Sequence, residues 1–252
     1  MSNPLFSVIT VCYNAGKTIG STVTSVKGQS FSGFEYIIVD GASKDATIDI
    51  IRNSRIHVDK LISEPDSGIY DAMNKGIAAA TGEYLIFLNA GDGFYSDDTL
   101  EIIANMIGEN RPDVIYGDTA IVDGNGSFKS MRRLRPPRKL TANSFRLGMT
   151  VCHQAFIAKR DIAPLYDLSY RFSSDFDWCL YILESASWCY NTDTILINYL
   201  DEGVTTRNHK ASLAERFNIM HRHYGLGSTA IFHIWFIIRG AFYKIRKITT
   251  RI

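Results

Sequence analysis

The N-terminal part of the chain alternates between short apolar runs and amphipathic stretches. Strands are predicted at residues 5–12, 36–39, 58–62 and 84–88, with helices between them at about 17–29, 46–53 and 69–80. The run 84–88 has no polar interruption, which is typical of a strand covered by helices on both faces. Strands that alternate with helices at this spacing predict a parallel sheet with right-handed crossovers. The pattern therefore predicts an α/β domain.

A polar elbow follows the last of these strands. Asn89, Gly91 and Asp92 come directly after the apolar run, at the edge of a parallel sheet where ligands usually bind. A carboxylate at that place suits a hard divalent cation, and a divalent cation suits a diphosphate. The same residue types are common in ordinary turns, so the meaning of the elbow depends on the motifs around it.

Several familiar site types are excluded by spacing. Gly16, Lys17 and Thr18 resemble the end of a P-loop, but its first glycine would have to stand where Val11 is. No Gly-x-Gly-x-x-Gly follows the first strand, so the pyrophosphate turn of a dinucleotide-binding fold is missing. The four cysteines form no Cys-x-x-Cys pair, so neither a zinc site nor a disulfide framework is indicated. With no secretory signal at the N-terminus, a cytoplasmic location is predicted.

The charge of the chain is distributed unevenly. The 252 residues carry a net charge of +1, but residues 207–252 contain nine Lys or Arg against one acid, which leaves −7 for residues 1–206. This contrast predicts a mildly acidic body at 1–206 and a basic, aromatic, helical tail at 207–252. Residues 129–139 hold six basic residues, two prolines and no acid. They predict an exposed loop, either a solvated face or a surface that meets phosphates or anionic lipid.

The tail contains a strongly apolar stretch. Residues 230–242 are rich in large aliphatic and aromatic side chains, interrupted by His233 and Arg239 and followed by four basic residues. The stretch is too short and too polar to span a bilayer, and very aromatic for an exposed helix. Two interpretations remain: a helix packed on the body or on a partner subunit, or a helix in the membrane interface with its basic side chains on anionic head groups. We favour the interface.

Four motifs occur in order between residues 7 and 92. They are SVITVCYN at 7–14, IVDGASKDAT at 38–47, DSGIYDAMNKG at 66–76 and LNAGD at 88–92. Through them the chain resembles glycosyltransferase family 2, over about residues 5–200. Within that family it resembles bacterial enzymes that build exopolysaccharide, capsule or O-antigen repeat units. The resemblance implies the GT-A fold, a Rossmann-like, mainly parallel sheet flanked by helices, here with a C-terminal helical extension.

The resemblance implies that the polar elbow is a metal site. LNAGD occupies the position of the family's Asp-x-Asp motif, in which Asp92 matches the direct metal ligand. Asn89 stands where a second carboxylate is usual, and it offers a carbonyl oxygen without charge. The implied cofactor is Mg²⁺ or Mn²⁺. With one carboxylate only, the donor diphosphate has to supply the missing oxygen ligands, as is usual for Mg²⁺.

The resemblance also implies a nucleotide site at the ends of the first strands. Asp40 would accept the ring N–H of uracil; its alternative role is to cap the following helix. The other residues implied in this pocket are Thr10, Tyr13, Asn14, Asp66 and Asn74.

A second acidic centre lies at residues 173–178, with the sequence SSDFDW. Direct displacement at an anomeric carbon requires a base on the face opposite the leaving diphosphate. In the family an acidic residue at the start of this helix deprotonates the acceptor hydroxyl, and Asp175 aligns with it. A helix N-terminus favours the ionised carboxylate that a base must be. Asp177 is the alternative base, or both cap the helix. His153 either contacts the acceptor or is structural.

These residues and the resemblance imply an inverting, metal-dependent glycosyltransferase of hexosyltransferase type. It would move a sugar from a UDP-sugar to a growing, lipid-linked glycan in surface polysaccharide biosynthesis. The expected partners are the nucleotide-sugar, the saccharide acceptor and, through the tail, the inner face of the cell membrane; no nucleic acid is expected. One alternative is transfer to polyprenyl phosphate, as in dolichyl-phosphate mannose synthases. Another is a non-catalytic nucleotide-sugar or glycan-binding subunit, against which the presence of both Asp92 and Asp175 argues.

Overall fold

A mixed β-sheet organises the chain. The structure is a computed structural model that describes residues 3–201 and 209–249, with the side chains of the last helix described from 211 to 239. Within these residues the strands are β1 Phe6–Cys12, β2 Phe34–Asp40, β3 Lys60–Ser63, β4 Tyr84–Phe87, β5 Gly93–Phe94, β6 Val114–Val122, β7 Phe128–Met131, β8 Phe156–Lys159 and β9 Cys189–Leu200. The helices are α1 Ile19–Lys27, α2 Thr47–Asn53, α3 Ile69–Ala79, α4 Thr99–Ile107, α5 Ser174–Ser185 and α6 His209–Thr249.

The strand order explains where the site forms. The sheet runs β3-β2-β1-β4-β8-β6-β9-β5, and β7 pairs with β6. The first four of these strands pair in parallel, so the carboxyl ends of β1, β2, β3 and β4 meet at one edge. Beyond them β8 runs antiparallel to both β4 and β6, while β9 is parallel to β6. The predicted α/β architecture and its parallel N-terminal sheet are confirmed.

Both faces of the sheet are covered. Side chains alternate along β4, so that Leu85 and Phe87 lie in one apolar cluster and Tyr84 and Ile86 in the other. The first cluster includes residues of α3, α5 and α6, and the second includes residues of α1, α2 and α4. All four residues of β4 are fully buried. Coverage on both faces is the reason that this strand is continuously apolar.

The predicted elements of the first hundred residues agree with the structure. Each predicted strand and helix ends within two residues of the observed one. The segment 129–139 is different, because its first residues belong to β7 and pair with β6. The prediction of a loop is therefore wrong for 129–131 and correct for 132–139, of which 133, 135, 138 and 139 are exposed and the other four are half-buried.

The last helix consists of two halves. Gly225 interrupts α6 with φ 77° and ψ 162°, a left-handed conformation that favours glycine. Before it, Ile219 and Met220 are buried in the cluster that also contains α5. After it, Phe232 and Phe236 pack against the same cluster, whereas other large side chains are exposed: Leu226, Ile231, Ile234, Trp235, Ile237 and Ile238. None of the helices in the described residues is long and apolar enough to cross a membrane.

Candidate active site

The loops that follow β1 and β2 are tied together by side chains of the 38–47 motif. Ser43 Oγ accepts a hydrogen bond from the N–H of Asn14 at 2.7 Å, and Asp45 Oδ2 accepts one from the N–H of Gly16 at 2.9 Å. In return, Asn14 Oδ1 accepts a hydrogen bond from the N–H of Lys44 at 2.9 Å. Asn14 has a positive φ of 47°, a conformation that persists in a non-glycine residue when its surroundings fix it. The motif thus shapes the edge of the sheet.

Asp40 and Thr10, both predicted to bind the nucleotide, are enclosed by the protein. Neither has exposed surface. Asp40 Oδ2 accepts hydrogen bonds from Ser63 Oγ at 2.7 Å and from the N–H of Ser43 at 3.0 Å. Thr10 Oγ1 accepts one from the Tyr36 hydroxyl at 3.1 Å. The structure therefore does not place either side chain where a ligand reaches it directly, because its polar atoms hold neighbouring strands and loops.

Tyr13 and Asp66 form the accessible part of this edge. Tyr13 is 62% exposed, and Asp66 is half-buried. Both lie against Gly41, where an added Cβ would overlap Asp66 Oδ2 and come within 3.2 Å of the Tyr13 ring. An aromatic face next to a carboxylate suits a planar base that carries a ring N–H, through stacking and a hydrogen bond.

Asn74, the last residue predicted in the nucleoside pocket, holds another segment of the chain instead. Its Nδ2 donates a hydrogen bond to the Tyr166 carbonyl at 3.0 Å, and its Oδ1 accepts one from the Tyr166 N–H at 2.7 Å. Both polar groups of the amide are therefore engaged. The fixed Tyr166 ring stacks on Trp178 and Tyr70, with centroid distances of 5.0 and 5.6 Å.

The polar elbow after β4 is built around Thr22 of α1. Gly91 has φ 107°, which turns the chain sharply. Thr22 Oγ1 accepts a hydrogen bond from the Gly91 N–H at 2.8 Å and lies 2.7 Å from the Asp92 carbonyl oxygen, to which it donates. The Asp92 side chain is 5% exposed and accepts hydrogen bonds from Gln154 Nε2 at 2.8 Å and from the Leu200 N–H at 3.0 Å. The carboxylate is thereby fixed at the strand end.

The elbow presents oxygen atoms that suit a divalent cation. Burial raises the pKa of Asp92 to about 7 although both of its hydrogen bonds lower it, and no cationic side chain of the described residues pairs with it. Asn89 Oδ1 is buried without a hydrogen-bond partner in the described structure. No group of three His, Cys, Asp or Glu in that part of the chain could hold a metal alone. Asp92 and Asn89 therefore fit an ion that takes its other ligands from phosphate and water, as Mg²⁺ does.

A cavity of about 270 Å³ lies beside the elbow. Its lining residues come from segments throughout the chain: Ile69, Tyr70, Met73, Asn89, Ile121, Arg132, Met149, Cys152, His153, Gln154, Arg171, Phe172, Asp175, Tyr199 and Arg216. Three predicted site residues, Asn89, His153 and Asp175, are thus brought together. A larger cavity of about 390 Å³ lies near Leu5 and Glu83, where β1 and β4 begin, and none of the predicted site residues lines it.

Asp175 stands in the first turn of α5 and is held by a tyrosine. The Tyr70 hydroxyl donates a hydrogen bond to Asp175 Oδ1 at 3.0 Å. Burial raises the pKa of Tyr70 well above its usual value, so the hydroxyl keeps its proton and remains a donor. The arrangement orients one carboxylate oxygen from α3 while the carboxyl group lines the cavity.

Asp177, the alternative base, is buried in an ion-pair network away from the cavity lining. It is 2% exposed, with His223 Nε2 at 3.0 Å and Arg222 Nη1 at 3.7 Å. Burial lowers the pKa of His223, but hydrogen bonds to Asp177 and Glu184 outweigh this effect and raise the pKa overall. The carboxylate of Asp177 thus joins α5 to α6 and does not face the space where a ligand would bind.

His153 lies in the cavity wall among aromatic rings. Its Nε2 is 2.6 Å from the Tyr166 hydroxyl, and its ring packs against Phe87 and Trp178 with centroid distances of 5.2 and 5.5 Å. Burial lowers the pKa of His153 to about 4, so the imidazole is neutral at pH 7. A neutral ring in this place serves as a hydrogen-bonding wall of the cavity.

Sequence reasoning missed several residues that build the site. Thr22 and Gln154 orient the elbow, and Tyr70 orients Asp175. Tyr70 lies inside the 66–76 motif, which is a signal that could have identified it. Thr22 and Gln154 are polar residues in otherwise ordinary segments, 70 and 62 positions from Asp92, and only the fold brings them to the carboxylate.

Comparisons with known sequences identify the family of the chain. The family model described as Glycosyl transferase family 2 matches residues 7–163, a span that includes the four motifs, the elbow and His153. A PGL/p-HBAD biosynthesis glycosyltransferase of Mycobacterium bovis is 32% identical over 226 residues, which cover 85% of this chain and 80% of that protein.

Solved structures share the fold at low sequence identity. TarS of S. aureus in complex with UDP-GlcNAc has a TM-score of 0.70 at 21% identity, with 86% of this chain and 64% of that chain covered. The mannosyltransferase PcManGT from Pyrobaculum calidifontis in complex with GDP-Man and Mn²⁺ has a TM-score of 0.66 at 16% identity, with 92% of this chain and 71% of that chain covered. The expected GT-A fold is confirmed. From the family match and the sequence relative together, the chain belongs to glycosyl transferase family 2.

Proposed function

We propose that the protein is an inverting glycosyltransferase that transfers one sugar from a UDP-sugar to a growing, lipid-linked glycan in surface polysaccharide biosynthesis. The observation that supports this most directly is the meeting of three features at one edge of the sheet. An exposed aromatic and carboxylate pair lies at Tyr13 and Asp66, a buried carboxylate at Asp92, and a cavity with Asp175 beside it. These features suit the nucleoside, the diphosphate and the acceptor, in that order.

The nucleoside would bind outside the cavity, at the ends of β1 and β3. Tyr13 offers an exposed ring on which a base can stack, and Asp66 accepts a ring N–H. Asp40 would act indirectly, since its hydrogen bonds to Ser43 and Ser63 fix the loop that carries Gly41. The resemblance of the 38–47 motif favours uracil as the base, and the TarS complex contains a UDP-sugar on the same fold.

The diphosphate would lie at the elbow, where Asp92 and Asn89 hold a divalent cation. A cation there would supply Lewis-acid stabilisation of the charge that develops on the leaving UDP. Without a bound cation, Asp92 has no cationic partner among the described residues, so burial keeps it largely protonated below a pH of about 7. The related fold of PcManGT contains Mn²⁺, which supports a metal-dependent donor site.

Asp175 would act as the general base. The acceptor hydroxyl oxygen bonds to the anomeric carbon on the face opposite UDP, the bond from that carbon to the UDP oxygen breaks, and the hydroxyl proton passes to Asp175. A single attack of this kind inverts the configuration of the sugar. Tyr70 keeps one carboxylate oxygen in place throughout, while the neutral His153 lines the cavity.

The second half of α6 would bring the site to a lipid-linked acceptor. Ile231, Ile234 and Ile237 are each at least 59% exposed, and Trp235 is 47% exposed on the same helix. Basic residues follow in the sequence at 244, 246, 247 and 251. Exposed apolar side chains next to a basic segment are typical of a helix that binds in the interface of an anionic membrane.

The proposal is tested by thermal unfolding and turnover with a panel of nucleotide-sugars in Mn²⁺. A bound donor stabilises the folded state by RT ln(1 + [L]/Kd), so a UDP-sugar should raise Tm more than a GDP-sugar does. Asp92→Ala should abolish turnover without unfolding the protein, and EDTA should do so reversibly. Asp49→Ala, at an exposed carboxylate of α2, is the matched control. Full turnover in EDTA, or equal stabilisation by UDP and GDP, would contradict the assignment.

A further inference from the structure

Three arginine side chains face the cavity that contains Asp175. They are Arg132 after β7, Arg171 before α5 and Arg216 in the first half of α6. Asp175 is the only carboxylate among the described lining residues, so the ionised lining side chains carry a net charge of +2. The cavity is therefore electropositive although the first 206 residues are acidic overall.

None of these guanidinium groups forms an ion pair with a carboxylate of the described residues. Arg132 donates hydrogen bonds to the carbonyl oxygens of Leu134, Met149 and Thr150, which fix it in the wall. Arg216 Nε is buried and has no hydrogen-bond partner in the described structure. Arg216 and Arg171 instead lie over aromatic rings. Two guanidinium groups are thus left with charge and donors to offer a ligand.

Glu215, the acid next to Arg216 in the sequence, uses its carboxylate oxygens for backbone groups. Glu215 accepts hydrogen bonds from the backbone N–H groups of Arg171 and Phe172 at 2.9 and 2.8 Å, so its carboxylate holds the loop before α5. A charged donor that is buried without a partner is destabilising, and an anionic ligand removes that penalty. The unpaired Nε of Arg216 therefore indicates a ligand with oxygen acceptors.

Arg171 and Arg216 come from the segments around α5 and α6, whereas Asn89, which lines the same cavity, follows β4. Asp92, the proposed metal ligand, lies in the turn between β4 and β5, whereas Asp175 lies in the first turn of α5. Arg171 precedes Asp175 by four residues, and Arg216 is close enough to Tyr70 to oppose the rise in the pKa of that hydroxyl. Both guanidinium groups thus belong to the part of the cavity where the base and its tyrosine lie.

We propose that Arg171 and Arg216 bind an oxyanion carried by the acceptor, a phosphate or a carboxylate, while the reacting hydroxyl lies at Asp175. The inference rests on the proposed function and deepens it: the acceptor is an anionic saccharide or a sugar linked to a phosphate. Arginine suits this task because its planar group donates two parallel hydrogen bonds to such oxyanions. Fixing the anion would also fix the distance from the hydroxyl to the base.

The first test measures binding of inorganic phosphate and of glucuronate by calorimetry, with and without saturating UDP and Mn²⁺. Phosphate should bind the UDP-saturated protein, and the double variant R171Q/R216Q should bind it at least tenfold more weakly. The variant R52Q, which removes an exposed arginine of α2, should bind it as the unmodified protein does. UDP affinity should change less than twofold in all variants. Comparable losses of UDP and phosphate binding would assign the arginines to the donor and overturn the proposal.

The second test compares acceptors. Simple glycosides that carry a phosphate, a carboxylate or no charge should differ in KM, and R171Q should raise KM for the preferred anionic one while leaving KM for the neutral one unchanged. Preference for phosphate or for carboxylate identifies the source of the oxyanion. If R216Q unfolds, R216K replaces it as a variant that keeps the charge, and the comparison of KM values is made with R171Q alone. Phosphate binding without any UDP binding would refute the proposed function and leave the anion site intact. An unchanged KM of R171Q for the anionic acceptor, or a neutral acceptor that the unmodified protein uses as well as the anionic one, would overturn the anion site.

Discussion

Asp92→Asn should make the protein more stable at neutral and alkaline pH while it abolishes turnover. The carboxylate is 5% exposed, receives two hydrogen bonds and has no cationic partner among the described residues. Burial therefore raises its pKa from 3.8 to about 7. Asparagine has nearly the same shape but no charge, so it removes the penalty for burying an unpaired anion.

The sign and size of this stability difference follow from proton linkage. Between pH 3.8 and about 7 the folded protein keeps a proton on Asp92 that the unfolded chain has released, so stability falls as pH rises through that window. One pKa unit corresponds to about 1.4 kcal/mol, which gives an upper limit of about 4 kcal/mol for the whole window. Of this, about 3 kcal/mol accumulates between pH 5 and pH 8. The variant lacks this contribution, so its advantage should grow with pH and become constant above about pH 7.

Urea unfolding of both proteins in EDTA at pH 5, 6, 7 and 8 measures the difference directly. All other titrating groups are shared, so they cancel in the comparison. Adding Mn²⁺ and UDP should then stabilise the unmodified protein above pH 7 more than it stabilises the variant, which keeps only the nucleoside contacts. A difference in the free energy of unfolding that stays constant from pH 5 to pH 8, or a variant that is less stable at pH 8, would refute the reasoning.

Four further outcomes are expected. Asp175→Asn should lower turnover roughly 10²-fold or more at unchanged UDP affinity, measured by initial rates and calorimetry, and undiminished turnover would exclude it as the base. Asp177→Asn should lower the free energy of unfolding by roughly 3 kcal/mol because it unpairs His223, while turnover per folded molecule persists; a stable but inactive variant would restore Asp177 as the base. Tyr13→Ala should weaken UDP binding by about 1–3 kcal/mol in calorimetry because the uracil ring loses its stacking partner. Unaltered affinity would show that the uracil ring binds elsewhere. Trp235→Glu should reduce sedimentation of the protein with anionic vesicles at least tenfold. Equal sedimentation would show that the exposed apolar face of α6 does not bind the membrane.

The sequence was informative where one segment carries its own pattern. The apolar run of β4 is continuous because helices cover both of its faces, and the polar elbow that follows it forms where it was predicted. β6 and β9 were not predicted, because they mix buried and half-buried positions and pair across a distance of many residues. Their hydrophobic pattern is set by neighbours that the local sequence does not reveal.

Side-chain roles were harder to predict than backbone positions. Asn74 and Thr10 lie in motifs at the correct edge of the sheet, yet their polar atoms bind Tyr166 and Tyr36. Motif spacing places a residue near a site, but it does not say whether a carboxamide faces the ligand or a distant backbone. Arg216 shows the reverse case: it stands in the tail that composition separates from the body, and it nevertheless lines the cavity.

Gly225 marks where the chain can be shortened without removing a residue that lines the cavity. Charge composition changes at about residue 207, but the first half of α6 supplies Arg216 to the cavity and Ile219 and Met220 to the core. Removing everything after 206 would delete a wall of the site, and loss of turnover would then say nothing about membranes. A deletion that begins after Gly225 retains that wall and removes the exposed apolar side chains from 226 onwards, together with Phe232 and Phe236, which pack on the core. For crystallisation or kinetics, the useful boundary is therefore the break in the helix and not the change in composition.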